Sequence, residues 1–268
     1  ETMKRIRPSL FGIGTLVLTL VFGLAGQASA DGRDHRVIVT SDQPRGWSTA
    51  DTRPGGAVNF VADHSAPAGH GALQLTTDAA TTAKAQYLHA ANTRLANVTE
   101  LSYYTKQNSA SFAEGDPSYQ LVTFLNGGTA GFSTLVFEPY QNPLQGPVVN
   151  NVWQQWDVDA GLFWSTRTVT CSNGIIDGTP GGPASYTLSQ IKTACPSAVV
   201  VGFGVNIGSN NPSYNVETDL FNFNGTVYDF EHMRGCAKAK DDGDRSHKDK
   251  CDKAGHDGHD GHDGDGED

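Results

Sequence analysis

The thirteen residues Asp219–Glu231 constrain this chain more than any other stretch, because aromatic side chains alternate on both sides of an Asn224-Gly225 pair. Both residues of such a pair accept the positive φ of a type I′ turn, so alternation around them predicts a tight hairpin. A two-residue turn sets Phe223 opposite Thr226 and Phe221 opposite Tyr228. Phe221, Phe223, Tyr228 and Phe230 then share one face, Asn222, Asp229 and Glu231 share the other, and Asp219 falls on the aromatic side. A ribbon with one apolar face must bury it against another layer, and the segment reads as the closing hairpin of a β-sandwich. Beyond Glu231 the alternation stops and the composition changes, which marks the end of the folded domain.

The same period of two recurs upstream. Val37–Val39 reads as a first edge strand and Ala57–Val61 as a second strand, while Leu73 and Leu75 face away from Gln74 and Thr76. Lys84–His89 and Leu101–Lys106 are further strands. Tyr119–Leu125 and Phe132–Glu138 flank Gly127-Gly128 and form a second hairpin. In Val152–Val158, Trp153 and Trp156 stand three apart and so point to opposite faces; Leu162–Trp164 follows as a short strand. Ala198–Val205 is a continuous, β-branched apolar run, as a central strand buried on both faces requires. One helix is predicted, over Thr187–Ala194, where Leu188 and Ile191 share a face and Pro196 ends it. Thirty-one glycines and frequent Thr, Ser and Asn suit many short strands and tight turns. The fold class is all-β, a two-sheet antiparallel β-sandwich of jelly-roll type with one short helix.

Lys4, Arg5 and Arg7 precede an apolar run from Leu10 to Leu24, and Ala28-Ser29-Ala30 follows. This is the layout of a signal peptide, assigned to residues 1–30. Gly12, Gly14 and Gly23 interrupt the run and the small-residue site ends it, which favours cleavage over a membrane anchor. No later apolar run approaches a membrane span, so the expected product is secreted and extracellular, with residues 31–235 as the sandwich. Export makes disulfides the expected state of the cysteines, and order along the chain pairs Cys171 with Cys195 and Cys236 with Cys251 out of three possible connectivities. Residues 236–268 carry eleven Asp plus Glu against six Lys plus Arg and repeat Gly-His-Asp from Gly255. With nothing apolar to bury, this acidic tail is expected to be disordered. An acidic chain without a basic stripe argues against nucleic acid as a partner.

Six stretches together carry a resemblance. They are Gly-Gly-x-x-x-Phe-Val (55–61), Ala-Pro-x-Gly-x-Gly-x-Leu-x-Leu-x-Thr (66–77), Leu-Ser-Tyr-x-Thr (101–105), Thr-Leu-Val-Phe-Glu-Pro (134–139), Trp-Gln-x-Trp-Asp (153–157) and Thr-Val-Tyr-Asp-Phe-Glu (226–231). The series resembles a family of secreted bacterial proteins of unassigned function, whose jelly-roll domain is similar to concanavalin-like lectins and carbohydrate-binding modules. The resemblance covers most of residues 45–231. It implies architecture and export, and it supplies no catalytic residues.

Sugar-binding sandwiches stack aromatic faces on pyranose rings, which makes Trp153, Trp156, Trp164 and Tyr140 the candidate ligand-binding residues; Trp47 reads as plain core. Asp229 and Glu231 share a face and offer hard oxygen ligands, a candidate calcium site, from which the register excludes Asp219. His256, His259 and His262 recur every third residue, a spacing on which a loose chain can close around zinc or nickel. Gly-x-Ser-x-Gly, His-Glu-x-x-His and phosphate-cradling Gly-Lys-Ser/Thr motifs are all absent. The reading that results is a secreted, non-enzymatic β-sandwich binding glycan or another extracellular polymer. A glycoside hydrolase or polysaccharide lyase on the same fold, and a structural envelope or matrix protein, are the alternatives.

Overall fold

The structure, a computed structural model, describes residues 35–232, which belong to one compact unit. Its strands in chain order begin with β1 (His35–Val39), β2 (Trp47–Ser48), β3 (Gly56–Ala62), β4 (Gly71–Thr77), β5 (Ala85–Arg94) and β6 (Leu101–Ser109). Next come β7 (Ser118–Phe124), β8 (Phe132–Phe137), β9 (Gln154–Asp157), β10 (Leu162–Ser165), β11 (Val169–Cys171) and β12 (Gly174–Ile176). After β13 (Tyr186–Thr187) and the helix α1 (Leu188–Ala194), the chain ends in β14 (Val199–Ile207), β15 (Asn215–Phe223) and β16 (Thr226–Phe230).

Two seven-stranded sheets result, with β11 and β12 as a separate small hairpin. In the first sheet, β15 pairs with β6 along one edge, and β9 lies beyond β6. On its other edge β15 pairs first with β4, which leads to β3, and then with β16, which leads to β1. The second sheet runs β13-β10-β8-β7-β14-β5-β2. Every pairing between strands is antiparallel except that of β1 with β16. The β15–β16 hairpin has the expected register, Phe221 with Tyr228 and Phe223 with Thr226, and its turn residues Asn224 and Gly225 have φ of 55° and 84°.

The core lies between the two sheets and is largely aromatic. Phe221 stacks on Tyr119 at 4.2 Å between centroids and Phe223 on Phe203 at 4.0 Å, each pair joining one sheet to the other. Trp47 is buried among Tyr87, Phe203, Phe221, Tyr228 and Phe230, the core role its sequence context suggested. Helix α1 starts from Thr187, whose hydroxyl accepts the Gln190 N–H while the Gln190 side chain accepts the Thr187 N–H. The Cys171–Cys195 disulfide is present and ties β11 to the end of this helix. No helix among the described residues is long and apolar enough to cross a membrane. Residues 1–30, Cys236, Cys251, His256, His259 and His262 lie outside the described residues.

One expectation is corrected. Asp219 does not share the aromatic face, because β15 carries a bulge between Asp219 and Asn222 with Leu220 at φ 45°. Before the bulge Val216 packs into the core; after it Phe221 and Phe223 do. One inserted residue therefore reverses the inward parity and turns Asp219 outward, to the side of Asp229.

Candidate functional site

The outer face of the second sheet supplies a row of side chains set by register: Trp164 on β10 is opposite Val136 on β8, which is opposite Gln120 on β7, which is opposite Gly204 on β14. One step along, Ser118 is opposite Asn206. The inward neighbours Phe163, Phe137, Tyr119 and Val205 are core, so strict alternation forces this row outward. Over the end of the row, the loops that contribute Phe112 to Asp116, Glu138 to Tyr140, Pro180 to Gly181 and Gly208 to Tyr214 wall off a cavity of about 400 Å3. That volume falls in the usual range for small-ligand sites.

Two carboxyls line the cavity. Glu138 ends β8 just before Pro139, and its Oε2 accepts hydrogen bonds from Trp164 Nε1 at 2.7 Å and Gln141 Nε2 at 2.6 Å. Burial pushes its pKa up, against the opposing effect of those donors. Asp116 is 8 % exposed; its Oδ2 accepts the Thr105 hydroxyl, and its Oδ1 has no hydrogen-bond partner. Burial pushes Asp116 up to about 8, the Thr105 and Trp156 donors notwithstanding. The loop that carries Asp116 is pinned from beneath: Gln107 Nε2 donates to the Ala113 and Gly115 carbonyls, and the Tyr103 hydroxyl donates to Pro117 O at 2.7 Å. Gly115 is required for this fit, since a Cβ there would come within 2.0 Å of the Tyr214 hydroxyl. At the rim Phe112 and Tyr140 meet edge to face at 5.3 Å.

Of the four aromatic residues expected to meet a ligand, the structure brings Trp164 and Tyr140 together in this cavity. Trp156 is fully buried; its Nε1 donates at 2.7 Å to Thr105 Oγ1, the same hydroxyl that bonds Asp116, so it supports the site from inside the core. Trp153 sits apart, donating to Asp63 at 3.1 Å with Lys106 over its ring. There Lys106 bridges Asp63 and Glu217. Asp229 is fully buried and accepts from Arg36 Nε at 2.8 Å, while Glu231 accepts the His70 N–H at 3.2 Å. Burial, reinforced by Asp229 and Glu231, raises the pKa of Asp219 beside them. Among the described residues, no three His, Cys, Asp or Glu side chains converge as a metal-ligand set. Asp116, Gln120, Asn206 and Tyr214 are site residues that sequence patterns did not single out. The only local hint at Asp116 is its place before Pro117 in an interstrand loop, which is a turn signal and nothing more.

No protein-family model and no curated protein matches this chain. Solved structures do resemble it. A family 11 carbohydrate-binding module from Clostridium thermocellum, in complex with a β-1,3-1,4-mixed-linked tetrasaccharide, aligns with TM-score 0.39 and 11% identity over 68% of this chain and 91% of that one. The family 11 module of the cellulosomal cellulase Lic26A-Cel5E of the same organism gives TM-score 0.35 and 10% identity over 70% and 91%. A CBM22-1 xylan-binding domain from Paenibacillus barcinonensis Xyn10C gives 0.34 and 14% over 69% and 87%. At these scores the likeness carries no argument about the site, which rests on its own residues.

Proposed function

We propose that this chain is an exported, non-enzymatic glycan-binding protein that seats a sugar in the cavity over Trp164. One juxtaposition carries the reading: the Trp164 indole, its N–H bonded to Glu138, beside the amide side chains of Gln120 and Asn206 in a single cavity of about 400 Å3. A pyranose presents an apolar C–H face to an aromatic ring and hydroxyls that both donate and accept. Amides and carboxyls answer those hydroxyls in pairs. A glycan array probed with the full chain tests this directly. Binding to a defined class of glycan is expected, and an array without any bound glycan would overturn the reading.

A second reading, hydrolysis, has one specific observation in its favour: Asp116 and Glu138 line the same cavity, and two carboxyls across a sugar are what glycosidases need. Chromatography of each bound oligosaccharide after prolonged incubation separates the two. Intact oligosaccharide supports a binding protein, and shorter products make it an enzyme.

Export rests on the charged, apolar and small-residue segments of residues 1–30, and localisation outside the cell follows from it. We extend the proposal to metals: zinc or nickel on His256, His259 and His262, and calcium at Asp229 and Glu231. Calorimetric titration with each ion checks both sites; absence of heat with zinc and nickel removes the tail site, and absence with calcium removes the other.

A further inference from the structure

The charge inventory of the cavity is one-sided. Asp116 and Glu138 line it, and its lining includes no lysine, arginine or histidine. One cation contributes indirectly: Arg53 donates to the Ser209 hydroxyl at 3.0 Å and is not itself among the lining residues. Thr105, Trp156, Tyr103 and Tyr214 surround Asp116 and Glu138 lines the same cavity, and none of these can supply a positive charge. Asp116 lines this cavity, and its Oδ1 is buried without a partner. A buried acceptor left unpaired costs free energy that a ligand donor would recover. The aromatic lining residues are Trp164, Tyr140, Tyr214 and Phe112, and aromatic ring faces carry negative potential and attract cations.

A neutral sugar could satisfy the hydrogen bonds but offers no counter-charge to a carboxyl that ionises in this cavity. An acidic sugar would add a like charge in a walled cavity. An ammonium group answers all three features at once: it brings three donors, one positive charge and affinity for aromatic faces. We propose that the glycan this cavity selects is an amino sugar whose amine is free and protonated, a deacetylated hexosamine, with its ammonium directed at Asp116 Oδ1. This rests on the cavity being a glycan site and names its ligand class. Glu138, already holding Trp164 and Gln141 through Oε2, positions the indole against the same ring.

The test is calorimetric titration of the full chain at about pH 7 with oligomers of four kinds, each in gluco and galacto form: free-amine hexosamine, N-acetylated hexosamine, neutral hexose and uronic acid. The free-amine oligomer is expected to bind about tenfold more tightly than its acetylated counterpart, the increment of one charge-assisted hydrogen bond. The uronic acid oligomer is expected not to bind. Repeating the titration in buffers with different ionisation heats should show one proton released for each amine that arrives already charged and none on binding the neutral oligomer, because the incoming cation displaces the Asp116 proton. Asp116→Asn should bring the amine and acetyl affinities to within about twofold of each other, with Glu138→Gln as the second variant if the first fails to fold. Equal or tighter binding of the acetylated or neutral oligomer overturns the amino-sugar inference and leaves the glycan site standing. Failure of every oligomer to bind overturns both.

Discussion

Replacing Trp164 with alanine is expected to weaken glycan binding by about 30- to 1000-fold, the effect of losing a central aromatic anchor worth about 2–4 kcal/mol. Two losses combine. The ring that lines the cavity disappears, and Glu138 Oε2 loses the indole donor at 2.7 Å that fixes its orientation. Trp164 is only 9 % exposed, so truncation also removes packing and lowers stability. Trp164→Phe keeps most of that packing while deleting the donor, and it should retain the fold with an intermediate affinity. Trp153→Ala is the contrasting variant: that ring sits with Asp63 and Lys106, away from the cavity, and its removal should leave affinity unchanged. Calorimetric titration against the array-selected glycan, paired with a thermal melt of each variant, checks the three together. An unchanged affinity in folded Trp164→Ala would contradict the site.

Asp116→Asn should stabilise the folded chain by about 2–5 kcal/mol above pH 8 and by little near pH 4. An unfolded Asp titrates near about 3.9. In the fold, burial pushes Asp116 up to about 8. Between those values the folded chain holds a proton that the unfolded chain has lost, so rising pH draws the equilibrium toward unfolding, and the penalty levels off above about 8. Asparagine still accepts the Thr105 hydroxyl but has no proton to lose. Urea denaturation across this range, with and without the substitution, measures the difference. Parallel stability–pH curves for the two proteins would show that Asp116 is not the group responsible. A side chain that lowers stability at alkaline pH yet lines the proposed sugar cavity is an expected cost of function.

The hairpin around Asn224-Gly225 was legible because turn chemistry and alternation are both local, and each fixes the same register. Helix α1 was legible from its Leu188–Ile191 face, and Trp47 as core from its context. The bulge at Leu220 was not, since β4, β6 and β16 all meet β15 there and nothing in Asp219-Leu220 announces it. Alternation placed Trp153 and Trp156 on opposite faces correctly. It does not say which face is inner, and Trp156, a candidate ligand residue by type, is core. Trp164 and Tyr140 were found by residue type. Asp116 is not legible in the sequence because its importance comes from Thr105, Trp156 and Glu138, all distant in sequence and joined only by the fold.

The central claim is that sugar is bound at the outer face of the second sheet, over Trp164. Its most direct measurement is a two-dimensional amide and indole NMR spectrum of the full chain during titration with the array-selected glycan. The predicted result is a shift of the Trp164 indole N–H together with the Gln120 and Asn206 side-chain amides, while the Trp153 indole stays in place. A shift at Trp153 with Trp164 unmoved would contradict the account.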